Sequence, residues 1–183
     1  MAAEWPPSGS YCPACTRTYG CAAPRCPRDG TQLVDLSGLP PRDTVVGARY
    51  RIEAILGRGG MGAVFLALDT QRGDRVALKL LLPTAPPTPF LRERFFREAR
   101  AARLLAHPAI CQVVDHGQEE GAPAYIAMEW LRGTSLATRM VRDGPLEPAL
   151  AARILSDAAA GLALAHDLGV VHLQRGQCQP KVI

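Results

Sequence analysis

The chain has 183 residues, of which 48% are hydrophobic and 21% charged, with a formal net charge of +4. That composition can build a core, and the mild positive balance, spread over Arg92 to Arg103 and elsewhere, lacks the concentrated patch of a nucleic-acid binder. No apolar run approaches the ~20 residues of a membrane span, and Met1 to Pro7 has neither the basic start nor the apolar core of a secretory signal. The expectation is a cytoplasmic protein with no nucleic-acid partner and no membrane span.

Four of the six cysteines lie close together near the N-terminus: Cys12, Cys15, Cys21 and Cys26. Cys12-Pro13-Ala14-Cys15 brings two thiolates to one metal through a tight turn, and a second such turn would complete a tetrahedral Zn²⁺ site. The second turn, Cys26-Pro27-Arg28-Asp29, has Asp29 where a fourth cysteine would stand. Cys12, Cys15 and Cys26 are therefore the expected ligands, and Cys21 is preferred slightly over Asp29 as the fourth because a thiolate binds Zn²⁺ more strongly. Disulfides or unligated thiols are the competing readings; without a secretory signal, metal in a reducing compartment is favoured. Residues 1–35 form this segment, and 36–47, containing Leu36-Ser37-Gly38-Leu39-Pro40-Pro41-Arg42-Asp43, read as a linker. Cys111 and Cys178 have no partner by spacing.

Next comes Gly57-Arg58-Gly59-Gly60-Met61-Gly62-Ala63-Val64. Glycines at this spacing let the backbone approach phosphate oxygens and turn its N–H groups onto them. A dinucleotide site would open a helix after the third glycine. Here Ala63 to Leu68 is rich in strand formers, and a turn at Asp69 to Asp74 leads into a second apolar run, Arg75 to Leu82, so a hairpin is predicted. Lys79 sits in that second run, after Val76-Ala77-Leu78. Burying it requires an anion, unless the strand lies at a sheet edge and the lysine points to solvent.

A Pro-rich stretch, Pro83 to Pro89, precedes a predicted helix from Leu91 to Leu105, in which Leu91, Phe95, Ala102 and Leu105 form one apolar stripe. Glu98 is expected on that stripe as the partner of Lys79, with Glu93 as the runner-up facing away. Strands are predicted over Ile110 to Val114 and Ala124 to Met128. The last predicted helix runs from Pro148 to His166, with Pro148 in its first turn, apolar Ile154, Leu155, Ala158, Leu162 and Ala165, and Gly169 just past its end.

The glycine loop, the strand lysine and the helix glutamate, in this order, resemble the protein-kinase family and its bacterial Ser/Thr members. The resemblance implies an α+β fold. Residues 48–131 would form a small lobe of five antiparallel strands and one helix, and 132–183 the start of a truncated helical large lobe. It further implies ATP held by Gly57, Arg58, Gly59, Gly60, Met61, Gly62, Val64, Ala77, Lys79 and Glu98. Met128 would be the gatekeeper, Glu129 and Leu131 would meet adenine through backbone groups, and Thr134-Ser135 would lie near the ribose. Residues 11 to 34 resemble the short zinc ribbons that precede some bacterial Ser/Thr kinase domains. A protein partner or substrate is implied but not named.

The resemblance breaks at His172, which marks the start of the missing catalytic loop. A kinase would continue with Arg, the catalytic Asp and a metal-binding Asn, then Asp-Phe-Gly. This sequence continues Leu173-Gln174-Arg175-Gly176-Gln177-Cys178, with no carboxylate after Asp167. Mg²⁺, expected for the family, would find no ligands there, and phosphoryl transfer would lack the group that orients the attacking hydroxyl. A close match before His172 and none after it is what a shifted reading frame, a truncation or a recombined end produces. A binding module without catalysis is the alternative to an incomplete kinase. Large-lobe helices would then be absent, leaving Ile154, Leu155 and Leu162 partly uncovered.

Overall fold

The computed structural model describes residues 9–12, 14–15, 17–20, 24–59, 62–82 and 89–170. They divide into two compact units, one containing the residues up to Ala99 together with Val113–Trp130, the other Arg100–Gln112 and the residues from Leu131 onward.

In the first unit, three two-residue strands, β1 (Ser10–Tyr11), β2 (Thr18–Tyr19) and β3 (Val34–Asp35), form a small antiparallel sheet with β1 in the middle. A larger antiparallel sheet follows: β4 (Val45–Val46), β5 (Tyr50–Gly59), β6 (Gly62–Asp69), β7 (Arg75–Leu81), β8 (Val113–Gly117) and β9 (Tyr125–Glu129), in the order β4-β5-β6-β7-β9-β8. The five expected strands are present, and a two-residue strand is added at one edge. β8 begins three residues later than the apolar pattern from Ile110 suggests, and the helix α1 spans Pro89–Arg103.

The uninterrupted apolar run of β6 reflects a strand with work on both faces. Ala63, Phe65 and Ala67 point into the principal core with Val76, Leu78 and Leu80 of β7 and Tyr125 and Ala127 of β9. The β5–β6 pairing has irregularities between Ile52 and Ala54 and between Ile55 and Gly57, and the first lets Ile52 and Ile55 share that same face. Tyr11, Val34 and Leu36 belong to the same core. Leu36 and Val46, inside the stretch that reads as a linker, are thus buried rather than part of a free tether.

The second unit contains α2 (Leu136–Asp143) and α3 (Pro148–Asp167). α3 starts as its sequence dictates: Pro148 occupies the first turn and the Glu147 carboxylate accepts the Leu150 N–H at 3.0 Å. It ends where Gly169 turns into the left-handed region with φ 73°, and the Val170 N–H reaches back to the Ala165 carbonyl at 2.8 Å. Gly161 and Ala165 are buried, whereas Leu155 and Leu162 remain 69% and 47% exposed. By length and composition alone α3, 20 residues containing an 18-residue stretch of mean hydropathy 1.3, is long and apolar enough to cross a membrane, against the expectation that no segment approaches that size. Arg153 and Asp157, one turn apart within it, would be costly in lipid.

Candidate functional site

The β5–β6 hairpin closes on Gly59 and Gly62, which pair with each other. Cross-strand partners share a face of a sheet. Gly57, Val64, Lys79 and Ile126 are successive partners across β5, β6, β7 and β9, so they mark one face, with Ala77 and Met128 on it as well. That face is opposite the principal core. β7 lies between β6 and β9, so Lys79 is in an interior strand and the edge-strand reading fails.

The Lys79 ammonium donates to Glu98 Oε1 at 2.7 Å, and its Nζ lies 5.6 Å from the centre of the Phe95 ring. α1 buries Phe95 and Ala99. Glu98 stands beside Ala99 at the margin of that buried face, and its side chain is 51% exposed against 24% for Lys79. The partner is Glu98 and not Glu93, as expected, but it reaches the lysine from the rim of the helix and not from the apolar stripe.

An added Cβ on Gly57 or Gly59 would have no heavy atom within 4 Å, so this side of the hairpin is open to a ligand. At Gly62 a Cβ would overlap the Leu80 carbonyl, so here glycine is required by the approach of β7. Arg58 is the cross-strand partner of Ala63 and therefore lies on the core side, away from Lys79. Its Nη1 donates to the carbonyls of Asp35 and Ser37 at 3.1 and 2.8 Å and to Asp35 Oδ2 at 3.2 Å. Arg58, expected at the phosphates, is here turned to the face opposite Lys79. Asp35 is itself held in a local turn, its Oδ1 accepting from the Ser37 N–H and hydroxyl at 3.0 and 2.7 Å. Hydrogen bonds from Ser37, and then the charge of Arg58, hold the Asp35 carboxyl below its ordinary value.

Met128 is half-buried beside Ala77, Glu129 ends β9, and Leu131 is half-buried just beyond it. Thr134, expected near a ribose, lines a cavity within the second unit together with Arg139, Arg142 and Asp157. Gly60, Met61, Cys21 and His172 lie outside the described residues.

A second cluster lies in the small sheet. One ligand atom each of Cys12, Cys15, Cys26 and Asp29 can be chosen so that all lie within 4.8 Å of one another. Cys15 Sγ and Cys26 Sγ are 3.7 Å apart, and Cys12 Sγ is 3.4 Å from Asp29 Oδ2. A tetrahedral Zn²⁺ with Zn–S bonds of ~2.3 Å holds its sulfurs roughly 3.8 Å apart, so the donor set fits. Both turns are shaped by backbone bonds: Cys12 N–H to the Arg17 carbonyl at 2.9 Å, Cys26 N–H to Thr31 at 2.7 Å, and Gly30 N–H to Cys26 at 2.9 Å. Burial pushes the Cys12 thiol up to about 12. Burial also raises Cys26, but the Tyr19 hydroxyl 3.1 Å away and the amides of Arg28 and Asp29 draw it net below its ordinary value. Hydrogen bonds from Thr31 hold the Asp29 carboxyl well below the usual carboxylate range. Tyr19 was not singled out by the cysteine spacing, which carries no signal for it.

Residues 50–174 match the family model described as protein kinase domain. The serine/threonine-protein kinase pkn2 of Myxococcus xanthus is 39% identical over 134 residues, covering 73% of this chain and 16% of that protein. The serine/threonine-protein kinase PknA of Mycobacterium tuberculosis is 36% identical over 137 residues, covering 73% and 32% respectively. The chain thus spans well under half the length of these curated relatives. The crystal structure of the M. tuberculosis PknI kinase domain superimposes with a TM-score of 0.61 at 32% identity, covering 71% of this chain and 52% of that one. The family match at residues 50–174 takes in the hairpin, the strand lysine and the helix that brings Glu98 to it, and the chain belongs to the bacterial serine/threonine protein kinase family.

Proposed function

We propose that this chain binds ATP on the sheet face marked by Gly57, Val64, Ala77 and Lys79, and that these 183 residues by themselves do not transfer its phosphoryl group. The observation that carries the reading is the 2.7 Å Lys79–Glu98 ion pair beside an open glycine hairpin. In kinases such a lysine, held by a helix glutamate, meets the α/β-phosphates. Adenine would pack against Val64, Ala77 and Met128 and bond to backbone groups of Glu129 and Leu131. His172 is followed by Leu173 and Gln174 where the family signature has Arg and the catalytic Asp, and Gln179 stands where it has the Mg²⁺-holding Asn. Gln174 cannot accept a proton at neutral pH as the catalytic Asp would, and this substitution favours, as a second reading, a protein-binding module that holds nucleotide without turnover.

The N-terminal cluster is proposed to hold Zn²⁺ through Cys12, Cys15, Cys26 and Asp29. Asp29 is preferred over Cys21 as the fourth ligand because its carboxylate already lies against Cys12 Sγ. Zn²⁺ there would supply cross-linking rather than chemistry, joining two turns of a segment too small to bury a core of its own. A reducing cytoplasmic setting would keep the thiols of Cys12, Cys15 and Cys26 available to the metal.

Titration with a fluorescent ATP analogue tests the nucleotide site: saturable binding, lost in Lys79→Ala, is expected, and binding indifferent to that change would sink the reading. Incubation with radiolabelled ATP, Mg²⁺ and a generic protein substrate should give no transfer; transfer would overturn the catalytic half. Metal analysis of protein purified without chelator should give about one zinc per chain, falling in Cys26→Ser and Asp29→Ala but not in Cys21→Ala.

A further inference from the structure

The residues around the phosphate loop carry few side chains that could fix its position. Gly57, Gly59 and Gly62 provide no side-chain anchors, and glycine loses more freedom on ordering than any other residue. Arg58 alone, among the described residues from 57 to 62, carries a charge, and it spends its guanidinium on the N-terminal segment through the three bonds to Asp35 and Ser37.

The acceptors of that guanidinium are in turn held by the strand that leads into the metal cluster. Ser10 pairs with Asp35 and Tyr11 with Val34, while the Leu36 N–H donates to the Gly9 carbonyl at 2.9 Å. Cys12 is the next residue after Tyr11. The strands involved are two residues long and cannot persist by backbone pairing alone. What fixes them is the burial of Tyr11, Val34 and Leu36 on the sheet on one side and, on the other, whatever joins Cys12 and Cys15 to Cys26 and Asp29.

We propose that Arg58 is a positioning residue tying the phosphate loop to the N-terminal segment, so that metal at the Cys12–Cys15–Cys26–Asp29 cluster sets the order of the loop from the face opposite Lys79. The consequence for nucleotide rests on the ATP-binding reading above, and the clamp itself does not. With metal bound, β1 and β3 hold Asp35 and the Ser37 carbonyl under Arg58, and the hairpin is ordered before nucleotide arrives. Without metal, those acceptors drift, and nucleotide must order the glycines itself.

Hydrogen exchange in the nucleotide-free full chain tests the clamp. In the zinc-loaded protein, chelation should speed exchange at Gly57–Gly59 and Gly62–Val64. Arg58→Ala should show the faster exchange with zinc still bound and should not respond further to chelation, and Arg58→Lys, which keeps the charge on a shorter side chain, should fall between. A merely structural loss would speed exchange at Leu78, Lys79 and Leu80 as well. Unchanged loop exchange in zinc-loaded Arg58→Ala, or a chelation response that survives the substitution, overturns the proposal. So does wild-type protein whose loop ignores chelation.

The affinity for a fluorescent ATP analogue should fall about threefold on chelation of the wild type and equally in zinc-loaded Arg58→Ala, as suits a partly exposed charge-assisted contact. The intended exchange pattern together with no nucleotide binding would overturn the ATP reading and support the clamp. Binding that ignores both zinc and Arg58, with unaltered loop exchange, would overturn the clamp alone.

Discussion

Glu98 Oε1 lies 2.7 Å from Lys79 Nζ, which places a helix carboxylate against the lysine of an interior strand. The pair is partly solvated, so its contribution to folding is small, on the order of 0.5 kcal/mol. Its larger effect is to fix a long, flexible cation on the face it shares with Val64 and Ala77. Glu98→Gln should therefore leave the thermal midpoint within a few degrees of wild type while weakening the ATP analogue about fivefold, because Lys79 then pays the ordering cost on binding. Parallel melting and fluorescence titrations check both halves. A large fall in the midpoint with unchanged affinity would show that the pair serves the fold instead.

Arg49 and Asp69 form a two-pronged contact, Nε to Oδ1 at 2.8 Å and Nη2 to Oδ2 at 2.6 Å, at the end of β6. The Arg49 hydrogen bonds, together with the amides of Gln71 and Arg72, hold the Asp69 carboxyl at about 2 against an ordinary 3.8, although burial pushes the other way. A depressed folded value means that the unfolded chain takes up the proton first. The stabilisation is thus complete above about pH 4 and is lost as pH falls through about 2, an effect of roughly 2 kcal/mol. Urea unfolding of wild type and Asp69→Asn between pH 5 and pH 2 measures it. The gap between the two should be widest at pH 5 and narrow on acidification; a gap constant with pH would count against the assignment.

The hairpin, the lysine and the helix partner could be read from the chain because each depends on local spacing: glycines two and three apart, a lone cation in an apolar strand, a carboxylate near an apolar helical stripe. The face of Arg58 could not be read that way. It is set by a contact between residues 23 positions apart and by the burial of Tyr11, Val34 and Leu36 over Phe65 and Leu78, none of which has a periodic signature. Strand parity also fails locally, since a regular β5 would place Ile52 and Ile55 on opposite faces, whereas the irregularity between Ile52 and Ala54 brings both to the core. In the metal segment, the Cys12–Cys15 turn and Cys26 were visible as spacing. Spacing also offered Asp29 as an alternative to Cys21, and the fold of the second turn, where Thr31 N–H bonds its carboxylate at 2.9 Å, places it in the cluster.

α3 presents Leu155 and Leu162 to solvent on a helix whose sequence is apolar over much of its length. Exposed side chains of this size on one helix recruit dye or other chains. The 183-residue chain should bind an apolar fluorescent dye, and Leu155→Gln combined with Leu162→Gln should reduce that signal by half or more without lowering the melting midpoint. A monodisperse monomer in sedimentation, with no dye binding by the wild type, would contradict this.

Gly59 and Gly62 face each other across the hairpin, yet a methyl group has opposite consequences at the two positions. At Gly62 it would collide with the Leu80 carbonyl, and since β7 is held on both sides by β6 and β9, the strand cannot step away without loss of pairing. Gly62→Ala should cost about 2 kcal/mol of stability. At Gly59 the same methyl meets no heavy atom within 4 Å, so stability should change by less than about 0.5 kcal/mol. The open space there is what a phosphate would use, and filling it should weaken the ATP analogue several-fold. Denaturant unfolding and nucleotide titration of the two variants therefore separate the fold from the site: Gly62→Ala is expected to move the first, and Gly59→Ala the second. Equal stability loss in both would mean that the hairpin glycines serve chain geometry alone, and the phosphate role would pass to Lys79 unaided.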